Sequence, residues 1–268
     1  MIYCVLKGGL GNQLFQFAAG LRLARLDTSR ITLVLPQGFV NRLEHLFRPE
    51  ILPTTVPFAF LKERFAGQEF DQLSDTAAGP FVDQPMLDAK LPPGQRVLVE
   101  GYFQSSRTIG ALRQYIAACG GLVAAVRDFA PSEAQRPVIH FRIGDYKKIG
   151  VQNEMGVIDP AYIDRCFEAI PGDVDLYTDE EVIHRIYAHY GRARVVVGGD
   201  DIEVFRNFLR AEIVAVPNST FSLTAAHLSE RIRLLIRPRW WTRNSVYDDL
   251  TADAPCEVSY LSNRFIWV

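Results

Sequence analysis

Apolar runs of four or five residues recur along this chain, and between them lie longer stretches in which apolar positions return every three to four residues. Ile2 to Leu6 is the first run and predicts a β-strand. From Asn12 to Leu26, the positions Leu14, Phe15, Phe17, Ala18, Leu21 and Ala24 fall at helical spacing. Ile31 to Leu35 is a second strand, so the chain opens as a strand–helix–strand unit with the glycine-rich turn Gly8-Gly9-Leu10-Gly11 at its first crossover. Between Phe39 and Gly94 scattered prolines and phenylalanines break every period, and the segment carries no assignment. Val97 to Gln104 then reads as a strand leaving into a loop, and Ile109 to Cys119 as a helix. After Ala130-Pro131 a second series begins, with strands predicted at Val138 to Phe141, Asp173 to Tyr177, Arg194 to Gly198 and Glu212 to Val216. A helical run follows at Leu223 to Leu228. Alternation of this kind predicts an α/β fold, here in two Rossmann-like halves, 1–130 and 131–268.

Composition narrows the function classes. With 268 residues, 48% of them hydrophobic, the chain can bury one large core or two small ones. The formal charge of −2, from 29 basic and 31 acidic residues, gives no global field for nucleic acid, so specificity has to be local. Cys4, Cys119, Cys166 and Cys256 are widely spaced with no C-x-x-C pattern, which predicts reduced thiols rather than a zinc site. Lys7 comes too soon for a signal-peptide apolar region, and no run approaches the roughly 20 apolar residues of a membrane span. A soluble, cytoplasmic protein is expected.

Candidate chemistry gathers in three turns. His140-Phe141-Arg142-Ile143-Gly144-Asp145-Tyr146 puts an imidazole, a guanidinium and a carboxylate at the exit of an apolar strand, where open α/β sheets bind ligands. Arg142 can hold a phosphate through its fork of N–H donors, and His140 and Asp145 can bond a nucleotide or sugar hydroxyl. The same residues also fit a buried histidine beside an Arg/Asp ion pair that fixes a loop. The turn Gly8 to Gln13 opens a helix whose free N–H groups suit an anion, or forms a plain turn with Asn12 as N-cap. A dinucleotide is excluded there, because the fingerprint's third glycine is Leu14 and its acidic residue is replaced by Pro36-Gln37. Val216-Pro217-Asn218-Ser219-Thr220-Phe221-Ser222 is a strand-to-helix turn rich in hydroxyls, fitting either a phosphate cradle or a helix cap. Asp173 and Asp175 have the spacing of a D-x-D metal pair but stand at the start of their strand, at the end opposite the ligands, so no metal is expected. Arg231 to Arg243 combines five arginines with Trp240 and Trp241. It reads as a half-buried element with snorkelling arginines, or as a peripheral contact with anionic lipid.

Taken together, Gly9-Leu10-Gly11-Asn12-Gln13-Leu14-Phe15-Gln16, the heptapeptide from His140 and Asn218-Ser219-Thr220-Phe221-Ser222 resemble, in order and separation, the signatures of the family-11 glycosyltransferases, which include α-1,2-fucosyltransferases. The resemblance implies a GT-B fold, two Rossmann-like domains facing across a cleft, with the acceptor side in 1–130 and GDP-sugar binding in 131–268. It implies inverting, metal-independent transfer of L-fucose from GDP-L-fucose to a galactose hydroxyl of a glycan or polysaccharide, in α-1,2 linkage and without a cofactor. Arg142 would meet the β-phosphate, Asn218, Ser219, Thr220 and Phe221 the donor, and Asp179, within Asp175-Leu176-Tyr177-Thr178-Asp179-Glu180, the guanine. Asp145 is the first candidate base and His140 the second. Gly11, Asn12, Gln13 and Gln104 would line the acceptor side. A bacterial cytoplasmic enzyme is implied, with a lipid-linked acceptor as the reason for any membrane contact. Two positions depart from the family: Ile143 stands where a second arginine is usual, and Leu223-Thr224 where tryptophans are. Lys147 and Lys148 are the nearest replacement charges. Ile143 also motivates the alternative of another GDP-sugar or deoxysugar donor, and a catalytically weak glycan-binding relative is the alternative from a different class.

Overall fold

The computed structural model describes residues 1–75, 84–119, 136–148, 155–242, 245–246 and 250–266, with the side chains of Asp145, Ser245, Val246 and Ile266 outside that description. The chain divides into two compact units, Met1–Phe129 with Asp249–Asp253 and Ala130–Asp248 with Ala254–Val268.

Unit one is built on the strands β1 (Ile2–Val5), β2 (Ile31–Leu35), β3 (Thr54–Pro57), β4 (Asp71–Leu73) and β5 (Val97–Val99). They form one parallel sheet in the order β3-β2-β1-β5-β4. Helix α1 (Leu10–Ala24) follows the first strand, and every residue of it except Asn12 is buried. Being apolar nearly all round, it has to be covered on all sides, and it packs against α3 (Ser106–Ala118), with Phe17 edge-on to Tyr115 at 5.9 Å. Arg22, buried on this helix, forms a bidentate pair with Asp88 at 2.7 Å. On another face of the sheet Tyr3, Val5, Val34 and Leu98 pack with Leu61 of α2 (Phe58–Arg64) and with Phe58, Phe65 and Phe70.

The segment without a periodicity, 39–94, thus holds β3, α2 and β4. Both strands lie at sheet edges, with mostly exposed or half-exposed positions, so neither shows the apolar run of a central strand. Among its described phenylalanines, Phe47 is buried and Phe58, Phe65 and Phe70 pack against the sheet, as packing residues rather than strand formers.

Unit two contains β6 (Val138–Phe141), β7 (Val157–Ile158), β8 (Val174–Thr178), β9 (Ala193–Val197), β10 (Ile213–Ala215), β11 (Leu234–Pro238), β12 (Trp240–Thr242), β13 (Ser245–Val246), β14 (Glu257–Leu261) and β15 (Phe265–Ile266). Six of them make a parallel sheet in the order β14-β11-β10-β6-β8-β9, while β12 pairs with β13 and β7 with β15. The chain first builds outward from β6 through β8 to β9, then returns to start β10 on the other side. This is the Rossmann order, with its reversal between β6 and β10. Helices α4 (Ala161–Ala169), α5 (Glu181–Tyr187), α6 (Asp201–Arg210) and α7 (Thr220–Leu228) connect the strands. Alternation along β6 divides its side chains between two layers. Ile139 and Phe141 enter a core with Ile163 and Phe167 of α4 and Ile183 of α5, whereas His140 meets Phe208 of α6 and Phe221 of α7.

The arginine-rich stretch is mainly strand β11, followed by β12. Arg231, Arg233 and Arg239 are exposed, but Arg237 is fully buried with its guanidinium 4.1 Å from the centre of the Tyr260 ring. Snorkelling therefore does not describe Arg237, and the burial of Trp241 removes it from any lipid-facing surface. Among the described residues no helix is long and apolar enough to cross a membrane.

Candidate functional site

The two strand ends that flank the order reversal of unit two, those of β6 and β10, carry most of the residues singled out in the sequence. His140 is buried on β6, and its Nδ1 lies 2.8 Å from Ser222 Oγ on α7. Burial, and then the Arg142 guanidinium, push its pKa down to about 3, so the ring is neutral at pH 7. A neutral imidazole bonded at Nδ1 can act at Nε2 as a donor or a weak base, according to its tautomer. Arg142 follows the strand, half-buried, with its guanidinium 5.9 Å from the centre of the Tyr146 ring. Tyr146 in turn donates its hydroxyl proton to Asn218 O at 2.5 Å, tying the turn after β6 to the turn after β10.

The Ile143 side chain does not face this site. Only 4% exposed, it sits in the core with Phe141, Tyr146 and Val157. An arginine here would enter apolar packing, so the departure from the family pattern is a feature of the core. Lys147 does not stand in for the missing charge either, because its ammonium pairs with Glu180 at 2.7 Å. Asp179, exposed after β8, accepts the Ile143 N–H at Oδ1 over 2.9 Å. Its other oxygen presses on Gly144, where an added Cβ would come within 2.2 Å. One carboxylate thus shapes the loop that carries Arg142. Asp145 lies in a short 3-10 turn, Gly144–Lys147, and its side chain is outside the described residues.

In the turn after β10, Ser219 occupies the N-cap position of α7 but its side chain makes no capping bond, so capping by that hydroxyl does not account for it. Free N–H groups at the first turn of a helix form a ready anion site. Asn218 has a different part. It is fully buried, and its Nδ2 donates to Gly156 O at 3.0 Å and Met155 O at 3.3 Å. The amide nitrogen therefore holds the loop before β7, while the buried Oδ1 has no hydrogen-bond partner among the described residues. Phe221 is half-buried and packs on His140, Phe205 and Phe208. Ser222 emerges only in three dimensions, since the sequence gives no cue that it meets His140.

In unit one, the glycine-rich turn begins its helix earlier than the periodicity implied. Gly9 is the N-cap and Leu10 the first helical residue, so Asn12 sits inside the first turn and is not the cap. Its Oδ1 accepts from Gln104 Nε2 at 3.0 Å, which brings together two residues 92 positions apart. Gly8, at φ 78°, leaves space that the Asn12 side chain occupies, its Nδ2 lying 2.7 Å from where a Cβ would be. Gly11 and Gln13 are buried. The Gln13 amide is engaged with backbone: Nε2 donates to Gly8 O and Val40 O, and Oε1 accepts from Arg42 N. These bonds lock the turn.

Asp173 and Asp175 face arginines at the entry of β8: Asp175 is buried and held by Arg194 at 2.5 and 2.9 Å, and Asp173 lies 3.4 Å from Arg136. Among the described residues no group of three or more His, Cys, Asp or Glu side chains could hold a metal ion.

No family model and no curated protein matches the sequence. Solved structures do match. A variant of Arabidopsis thaliana FUT1 in complex with GDP superposes with a TM-score of 0.50, at 13% identity, over 91% of this chain and 70% of that one. The α-1,6-fucosyltransferase NodZ, co-crystallised with GDP, gives 0.49 at 16% identity over 85% of this chain and 92% of the other. The heptosyltransferase WaaC of E. coli, solved with ADP, gives 0.48 at 10% identity over 97% and 92%. At such identities likeness concerns the fold, which is the α/β, GT-B architecture of glycosyltransferases with two Rossmann-like units.

Proposed function

We propose that this protein is a glycosyltransferase that binds a GDP-sugar in unit two and transfers L-fucose from GDP-L-fucose to a galactose hydroxyl, in α-1,2 linkage with inversion. The observation that carries this reading is the meeting of Arg142, neutral His140 and the N-terminus of α7, which the Ser219 side chain does not cap, at the carboxyl ends of β6 and β10. That is where a Rossmann sheet receives a nucleotide. Arg142 and the first amides of α7 offset the charge that builds on departing GDP, so the transfer needs no metal. Asp179, at the end of the neighbouring strand, takes the guanine edge. Asp145 is the base that accepts the acceptor proton, and only weak basicity is required when the transition state is oxocarbenium-like. His140, with a pKa near 3, is the weaker base, and its Nε2 serves the donor.

Ile143 no longer argues for a different donor sugar, since its side chain belongs to the core.

The test is calorimetric titration with GDP, UDP and NAD in EDTA, then GDP-fucose against GDP-mannose, followed by linkage analysis of any product on galactosides. Selective GDP and GDP-fucose binding is expected. Arg142→Ala should weaken GDP binding by about 10- to 150-fold, the loss of a charge-assisted hydrogen bond. Unchanged GDP affinity and turnover in that variant would remove Arg142 from the phosphate site.

A further inference from the structure

A cavity of about 540 Å³ opens in unit one at the carboxyl ends of β1, β5 and β4. Its walls are Lys7, just after β1; Glu100, Gly101 and Tyr102, just after β5; and Ser74 and Asp75, just after β4. The strand order of this sheet turns between β1 and β5, so the cavity lies at its switch point, where open α/β sheets take ligands. Its volume is within the roughly 300–1,000 Å³ of ligand sites.

The walls are built, not incidental. Asp75, 5% exposed, accepts the N–H groups of Tyr102 and Phe103 at 2.6 and 2.9 Å with one carboxylate oxygen. It thereby fixes a turn in which Phe103 has a φ of 49°. Lys7 is held between two neighbours, 3.6 Å from the Glu100 carboxylate and 5.4 Å from the centre of the Tyr102 ring.

The charge pattern selects the ligand. The lining has one cation, Lys7, against two carboxylates, Asp75 and Glu100, and the cation is already paired. A phosphate or carboxylate ligand would meet net negative charge, and an apolar one would strip water from an ammonium and two carboxylates without replacing their hydrogen bonds. A donor beside an acceptor, 3.6 Å apart, instead suits two neighbouring hydroxyls of a sugar, one accepting from Lys7 and one donating to Glu100. Tyr102, with Leu73 and Leu98 in the lining, offers the apolar surface on which the C–H side of a pyranose rests.

We propose that this cavity binds an uncharged sugar residue through Lys7, Glu100 and Tyr102. That this sugar is part of the acceptor rests on the glycosyl-transfer reading; that the cavity is a sugar site does not.

Saturation-transfer NMR with lactose, N-acetyllactosamine and maltose on the intact protein tests it, with glucuronic acid, glucosamine and glucose 6-phosphate as charged comparators. At least one neutral disaccharide is expected to show contact. Tyr102→Ala and Glu100→Gln should each weaken that contact at least about tenfold, the scale of one lost hydrogen bond or stacking contact. Tyr102→Phe should retain it. Thermal stabilisation by GDP, measured in parallel, should be unaltered in all three variants, and a melting temperature and circular dichroism spectrum equal to wild type report their folding. No contact from any neutral disaccharide, contact unaffected by the variants, or preference for a charged sugar would each overturn the proposal. No GDP response in the wild-type protein, with sugar contact intact, would instead overturn the GDP-sugar reading and leave the sugar site standing.

Discussion

Acidifying this protein from pH 7 to pH 5 should remove about 2 kcal/mol of stability through one side chain, His140. The ring is 8% exposed, lies against Phe208 and Phe221 and is bonded at Nδ1 to Ser222. In the unfolded chain it takes a proton at the ordinary value of 6.5, and in the folded protein only near 3. Between those values the unfolded state binds more protons, so the contribution is complete above 6.5 and declines as the pH falls toward 3. The same relation gives about 3 kcal/mol by pH 4. Asp88 acts in a lower window. Its carboxyl, held below the usual range chiefly by the hydrogen bond from Arg22, loses its contribution only as the pH drops below 3.8. Urea unfolding between pH 4 and pH 7, read by tryptophan fluorescence, reports unit two through Trp240 and Trp241. His140→Asn keeps a partner for Ser222 but does not titrate, and its stability should be flatter than wild type by the amounts given. NMR titration of the imidazole provides the direct value. A ring that titrates near 6.5 in the folded protein, or a variant as acid-sensitive as wild type, would refute the reasoning.

Three substitutions probe the scaffold. Gly8→Ala, which meets both a left-handed φ and the Asn12 side chain, should cost about 1–3 kcal/mol in urea unfolding; a change under about 0.5 kcal/mol would mean that the turn relaxes freely. Asp75→Asn should lower unit-one stability by about 1.5–3 kcal/mol, since charge-assisted bonds to two backbone N–H groups are weakened, and a denaturant midpoint equal to wild type would dismiss the carboxylate as the anchor of that turn. Ile143→Arg, although it supplies the arginine usual in the glycosyltransferases whose signatures this chain resembles, should destabilise by at least about 3 kcal/mol by burying an unpaired charge and gain no GDP affinity by calorimetry; tighter GDP binding would show that position 143 can reach the nucleotide.

The sequence revealed the strands that are apolar runs, the edge strand Ala193–Val197 among them, and hid the polar edge strands and the arginine-bearing central strand Leu234–Pro238. Val138 to Phe141 and Ile2 to Leu6 are legible because both faces of those strands are covered, which leaves an unbroken apolar run. Asp71–Leu73 is an exposed edge strand with two polar residues of three, and no local pattern distinguishes it from a loop. Much the same holds at the site. The turns after β6 and β10 were found because unlike ionisable and hydroxyl side chains cluster within a few residues. Which candidate side chains the fold itself engages was not legible, because the partners of Asn218 Nδ2 and Gln13 lie far away in the chain and Ile143 enters the core. The unit-one cavity also escaped notice, as its walls come from three separated segments.

Gln13 carries a lesson for anyone mapping tolerance to mutation. With two donors and one acceptor engaged by Gly8, Val40 and Arg42, its amide accepts no isostere. Glutamate would set an oxygen against two carbonyls, and asparagine falls one methylene short. A saturation scan scored by activity alone would therefore rank position 13 beside the residues that handle substrate, although its work is to fasten one loop to another. Scoring abundance alongside activity separates the two, since variants here should disappear from the folded pool before their turnover per molecule changes.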